Sequence, residues 1–139
     1  MKASRGEIKI FDILTAAGLN FQEEYSFPDL LSPKGIPLRF DFCVFDDEGD
    51  IDFLIEYQGV QHYLPKSKFG WLPGLRKQQF NDALKREYCK KHNIPLVEIP
   101  YTDEGRLNYD MIMSAAGYWR FLLTKPKNFD ILYKERRER

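Results

Sequence analysis

Hydrophobic positions along this 139-residue chain follow two spacings, one helical and one that alternates. The helical spacing comes first. Ser4-Arg5-Gly6-Glu7 has the pattern of a capping box, Ile8, Phe11, Ile13, Leu14 and Ala17 follow, and Gly18 supplies a stop, which predicts a first helix. Asn20 to Tyr25 reads as a short strand, and Phe27-Pro28 as the start of a loop through Ser32-Pro33-Lys34-Gly35, with the sheet proper beginning near Leu38. Alternation then takes over in 38–45 and 51–58, on either side of the turn-forming Asp46-Asp47-Glu48-Gly49-Asp50, which predicts a β-hairpin. A loop rich in Pro and Gly covers 64–74, and a second helix follows over about 75–92 with Phe80, Ala83, Leu84 and Tyr88 as its apolar stripe. Asn93-Ile94-Pro95 ends it. Leu96 to Tyr101 reads as a strand returning parallel to its partner. A third helix over about 109–123 would pack Ile112, Ala115, Ala116, Trp119 and Leu122 or Leu123, ahead of a charged tail.

The hairpin fixes a register. With the loop centred on Glu48-Gly49, Phe40 faces Tyr57, Phe42 faces Ile55 and Val44 faces Phe53, giving one apolar face. The same register sets Asp41 opposite Glu56 and Arg39 opposite Gln58 on the other face. Two carboxylates roughly 4–5 Å apart repel by several kcal/mol at an effective dielectric near 20. A hard divalent cation between them would compensate. The alternatives are a register shifted by one residue, or neutralisation by Arg39.

Composition bounds the rest. The length suits one domain, with a core over about 4–101 and a C-terminal helix and tail over 102–139. No basic start with an unbroken apolar run and no span of roughly 20 apolar residues occurs, so a soluble cytoplasmic protein with no membrane partner is expected. Cys43 and Cys89 read as reduced packing residues, and with His62 and His92 they match no zinc-ligand spacing. Net charge is zero but segregated: residues 1–65 hold 5 Lys/Arg against 12 Asp/Glu, and residues 66–92 hold 8 against 2. Such a division suits a protein that holds a cation in one place and phosphates in another, and equally a lysine-rich solvated helix.

Asp on one hairpin strand and Glu-x-Gln on the next, within an αβββαβ order, resembles the PD-(D/E)XK (restriction-endonuclease-like) nuclease superfamily over about residues 4–101. Ile55-Glu56-Tyr57-Gln58-Gly59-Val60-Gln61-His62-Tyr63, with Asp82, Lys85, Tyr88-Cys89 and Ile99-Pro100-Tyr101, is similar to small phage and bacterial endonuclease-like proteins. These are related to very-short-patch-repair nucleases and to homing endonucleases with a Glu, Asp, His, Asp signature. The resemblance implies an α/β fold, a mixed sheet with a catalytic hairpin flanked by helices, and metal-dependent hydrolysis of DNA with Mg²⁺, Mn²⁺ substituting. It implies Asp41, Glu56 and the Tyr57 carbonyl as metal ligands and Glu7 as the acidic residue from the first helix. Gln58 departs from the family's usual lysine and brings no charge. Lys85, from the following helix, and His62 are the candidates to supply it. Gln61, Lys66, Lys68, Arg76, Lys77, Arg86, Lys90 and Lys91 would follow the sugar-phosphate backbone, while Phe69 and Trp71 either meet bases or pack the core. A homodimer would cut both strands where a monomer nicks. The competing expectations are a catalytically impaired nucleic-acid- or protein-binding module on the same fold, and a nuclease selective for junctions or mismatches.

Overall fold

A computed structural model describes residues 3–59 and 71–118. Its sheet has four strands in the order β1 (Asn20–Leu31), β2 (Pro37–Phe45), β3 (Ile51–Gln58) and β4 (Leu96–Pro100), antiparallel between the first three and parallel between the last two. Helix α1 (Arg5–Ala16) precedes the sheet and α2 (Trp71–Lys91) lies between β3 and β4 in the chain, as a parallel pair requires. A 3₁₀ turn at Tyr101–Arg106 leads to α3 (Tyr109–Met113) and a π-helical turn at Ser114–Tyr118. The chain is thus mixed α/β.

One side of the sheet is closed by α1 and the 107–118 segment, which bury Ile10, Leu14, Ile112, Met113 and Tyr118 against Phe42, Val44, Phe53, Ile55 and Val97. The other side is closed by α2, where Cys89 and Leu84 meet Leu30, Leu38, Phe40, Cys43 and Leu54. Both thiols are free and buried, and burial pushes Cys43 up to about 12 and Cys89 to about 11.

The expected hairpin register is present at Phe42↔Ile55 and Val44↔Phe53, and a one-residue shift follows at Phe45↔Ile51. Phe40 departs from it. Instead of joining the Phe42 face, its ring packs on the α2 side. The cause lies next door, where the Asp41 and Tyr57 amides bond to carboxylates instead of cross-strand carbonyls. Opposite, Glu24 takes a left-handed backbone (φ 52°). Arg39 pairs with Glu24 at 3.5 Å, both side chains exposed, so it is not the neutralising partner of Asp41 and Glu56.

Five other expectations are corrected. β1 continues to Leu31 rather than yielding to a loop at Phe27-Pro28, because it is an edge strand and an edge tolerates a residue with no amide proton. In α2, Phe80 is 54% exposed and Ala83 is also exposed, while Asp82 and Cys89 are buried. Among the described side chains of α2, Lys77, Gln78, Asn81, Asp82 and Lys85 line a polar cavity, while Leu84 and Tyr88, as expected, pack against the sheet together with Cys89. In α1, Ile8 and Phe11 are exposed and Ile10 and Leu14 carry the packing. The strand after α2 ends at Pro100, with Tyr101 opening the 3₁₀ turn. In the third helical segment Ile112 and Ala116 are buried as expected, and Ala115 is exposed; Trp119, Leu122, Leu123 and the tail lie outside the described residues.

Gly6 sets how closely α1 approaches the hairpin. A Cβ there would stand 2.1 Å from Cζ of Tyr57, whose ring is buried and whose hydroxyl donates to Glu104 at 3.4 Å. Gly6→Ala is therefore expected to destabilise the protein by about 1–3 kcal/mol, read as a melting temperature lowered by several degrees. An unchanged melting temperature would mean that α1 is not seated on Tyr57.

Candidate active site

Asp41 and Glu56 are held by each other's strands. The Asp41 amide donates to Glu56 Oε1 at 3.0 Å, and the Tyr57 amide donates to Asp41 Oδ2 at 2.7 Å. This reciprocal arrangement fixes both carboxylates on the α2 side of the sheet. Lys85 reaches down from α2 and places Nζ 3.2 Å from Glu56 Oε2, with 13% of its side chain and 8% of that of Glu56 exposed. Its ammonium also lies 5.5 Å from the centre of the Phe40 ring, so the displaced phenyl serves as a platform for the lysine.

These groups border a polar cavity of about 500 Å³, lined by Glu7, Glu24, Asp41, Glu56 and Tyr57 on one side and by Lys77, Gln78, Asn81, Asp82 and Lys85 of α2 on the other. Glu7 is in this lining and also closes the α1 capping box: Ser4 Oγ donates to Glu7 Oε1 at 2.9 Å and accepts from the Glu7 amide at 3.2 Å. Both roles expected of it are compatible with its place.

Gln58 is turned elsewhere. Its amide nitrogen donates to Glu98 Oε1 at 2.8 Å, and Arg86 binds the same carboxylate through Nε at 2.8 and 3.0 Å. Glu98 lies directly beside Glu56 in the β3–β4 register, so Gln58 and Arg86 offset a second carboxylate next to the first. Of the residues expected along a phosphate backbone, Arg76, Lys77, Lys90 and Lys91 are exposed on α2, and Lys77 borders the cavity. Gln61, His62, Lys66, Lys68 and Phe69 lie outside the described residues.

Burial and then the Asp41 charge raise the Glu56 carboxyl well above the usual glutamate range, and Lys85 pulls it only part of the way back. The folded protein thus keeps a proton on this group at pH values where the unfolded chain has lost it. Stability from this source is full below the ordinary glutamate pKa and is lost as pH rises through the raised one. The metal-free protein is expected to lose up to roughly 1 kcal/mol per pH unit across that window, and Glu56→Gln to flatten the dependence. Thermal melts at a series of pH values check this; parallel curves for the two proteins would contradict it.

The donor set suits a hard cation. Two carboxylates are fixed within hydrogen-bond reach of the same backbone segments, and each carboxylate oxygen has two lone pairs. Mg²⁺ is commonly held by one or two carboxylates with water completing its shell. Among the described residues no group of three or more His, Cys, Asp or Glu side chains stands in a metal-holding arrangement. Two carboxylates alone would fit a cation with an oxygen-rich, partly aqueous shell.

Glu24, Gln78, Asn81 and Glu98 were not singled out in the sequence. For Asn81 and Gln78 a signal was present, since they precede Lys85 by four and seven residues and so share its face.

No protein-family model matches the chain, and no solved structure matches it. Among curated proteins, uncharacterized protein 094L of Frog virus 3 is 52% identical over 71 residues, 50% of this chain and 40% of that protein. Uncharacterized protein 307L of Invertebrate iridescent virus 6 is 43% identical over 53 residues, covering 34% of this chain and 25% of that protein. Uncharacterized protein 033L of Invertebrate iridescent virus 3 is 39% identical over 49 residues, with the same coverage of 34% and 25%. The chain spans less than half the length of these relatives. Among the described residues no helix is long and apolar enough to cross a membrane.

Proposed function

We propose that this chain is a metal-dependent DNA endonuclease on a restriction-endonuclease-like fold. The observation that carries the reading is the reciprocal clamp of Asp41 and Glu56 on adjacent strands with Lys85 against it. The order helix, three antiparallel strands, crossover helix, parallel strand supports it, and viral relatives are in keeping with a phage- or mobile-element-type enzyme.

Asp41 and Glu56, with the Tyr57 carbonyl beside them, are the residues that would hold Mg²⁺ or Mn²⁺. When bound, the cation polarises the phosphoryl group, activates water and offsets the substrate's charge. The chain's own groups do the rest. Lys85 supplies the positive charge that Gln58 lacks and, once Glu56 is otherwise neutralised, its Nζ is available to a phosphate oxygen. Phe40 keeps that ammonium on the cavity side. Gln58 and Arg86 hold the Glu98 charge away from the reaction. Exposed Arg76, Lys77, Lys90 and Lys91 along α2 would meet the phosphate backbone, so binding should weaken with salt.

The test is to incubate supercoiled, linear, single-stranded and four-way-junction DNA with the protein and Mg²⁺ or Mn²⁺, and again with a chelator. Cutting of at least one form, lost with the chelator, is expected. Binding without cutting under every condition would favour the impaired module, which the engagement of Gln58 with Glu98 also suits.

A further inference from the structure

The turn between β1 and β2 presents two aliphatic side chains to solvent: Leu31 is 42% exposed where the chain enters it, and Ile36 is 61% exposed where it leaves. Neither side chain is needed to form the turn. The Ser32 amide donates to the Ile36 carbonyl oxygen at 2.8 Å and the Gly35 amide to the Ser32 carbonyl oxygen at 2.9 Å. Ser32 Oγ accepts from the Lys34 and Ile36 amides at 3.3 and 3.2 Å, and Gly35 takes the left-handed conformation (φ 81°) that closes the loop. One exposed aliphatic residue is ordinary on any surface. Here two stand on a hairpin tip whose backbone is already fixed, within an exposed run from Pro33 to Pro37.

The tip lies at the end of the sheet that carries the carboxylate pair. β2 begins at Pro37 and β3 ends at Gln58, and antiparallel pairing puts these two ends together. Leu38, two positions from Ile36, lines the same cavity as Asp41, Glu56 and Lys77. Between Leu30 and Phe40 the charged residues are Lys34 and Arg39, with no acid among them. An apolar tip beside cations matches a polyanion whose apolar parts are its stacked bases.

We infer that this tip is a wedge for nucleic acid: Leu31 and Ile36 enter an unstacked base step while Lys34 meets a neighbouring phosphate, so the enzyme selects DNA interrupted by a bulge, mismatch or branch. The inference rests on the nuclease reading of the cavity and gives that site its substrate class. Inserting an apolar side chain into a continuous duplex must first break stacking, and the cost is least where stacking is already lost. Ile36 precedes Asp41 by five positions, roughly 17 Å of extended strand. With stacked bases roughly 3.4 Å apart, cutting should fall about five steps from the interruption.

Binding is measured by fluorescence anisotropy with a chelator present, using a continuous duplex and one of the same length with an unpaired bulge beside 2-aminopurine. Wild type is expected to bind the bulged duplex at least roughly tenfold more tightly and to raise the 2-aminopurine fluorescence as that base unstacks. The Leu31→Ser, Ile36→Ser double variant changes exposed side chains alone, so it should melt like wild type while losing both the preference and the fluorescence rise. Ile36→Ala should lose part of each, and decides the matter if the double variant folds poorly. Lys34→Ala should weaken binding to both duplexes alike and lower the salt slope by about one. A preference unchanged in the variants, or a wild type that cuts continuous duplex and binds the two duplexes equally, would overturn the inference and leave the nuclease reading standing. Uptake by anionic phospholipid vesicles that the double variant loses, with equal DNA binding by both proteins, would assign the tip to a membrane surface and overturn it too. A wild type that neither binds nor cuts any DNA would overturn both.

Discussion

Glu56→Ala is expected to reduce DNA cleavage by at least roughly 10³-fold, because a cation held at this pair contributes several kcal/mol of transition-state stabilisation and each factor of ten corresponds to about 1.4 kcal/mol. Asp41→Ala should do the same. The two losses should not add, since the carboxylates act as one site. Removing Glu56 also strips Lys85 of its partner, so the fold needs a control. Glu56→Gln keeps the volume and the acceptor for the Asp41 amide, and should stay folded while losing activity to a similar extent. Single-turnover cleavage with Mg²⁺ in excess separates chemistry from binding. If Glu56→Gln cut at the wild-type rate, the reaction would not pass through this pair.

The second large effect belongs to Lys85. Lys85→Met retains the aliphatic stem against Phe40 but removes the ammonium, and a loss of about 10²–10³ in rate is expected, as for other preorganised charges aimed at a reacting oxyanion. Lys85→Arg should restore part of it, since the charge returns in a different shape. Affinity for DNA should change far less than the rate, because one contact among several exposed cations is lost. If instead Gln58→Ala lowered the rate and Lys85→Met did not, the family's usual position would carry the chemistry despite its engagement with Glu98. The rate at saturating DNA distinguishes these outcomes.

Much of the site was legible from local chemistry. The turn Asp46 to Asp50 and the alternation on either side fixed a register found at Phe42↔Ile55 and Val44↔Phe53, and that register brings Asp41 and Glu56 to one face. Lys85 was legible through helical spacing, as it shares a face with Asp82 and Cys89, both buried. Of the expected α2 stripe, Leu84 and Tyr88 pack against the sheet while Phe80 and Ala83 are exposed, because the surface facing this part of α2 is polar where Asp41 and Glu56 lie. A helix facing a charged cavity needs polar residues inward, and a count of apolar positions does not register that.

Phe40 and Glu24 were illegible for a related reason. Alternation assumes that every backbone amide meets a carbonyl across the strand. At Asp41 and Tyr57 side-chain carboxylates take that role, so the strand leaves its regular path and Phe40 changes sides. The carboxylate pair thus creates the local irregularity that hid one of its own neighbours. β1 was read too short because Pro28 signals a break, whereas a strand at the edge of a sheet has no ladder bond to lose there.

Whether the carboxylate pair holds a divalent cation is a question that needs no knowledge of the DNA sequence or structure. Titrating the protein with Mn²⁺ and following the free ion by electron paramagnetic resonance answers it. The wild-type protein is expected to take up Mn²⁺, Mg²⁺ to compete for the same site, and the Asp41→Asn, Glu56→Gln double variant to bind at least roughly tenfold more weakly while keeping its fold. Equal Mn²⁺ uptake by the two proteins, or none by the wild type, would contradict a cation site at this pair.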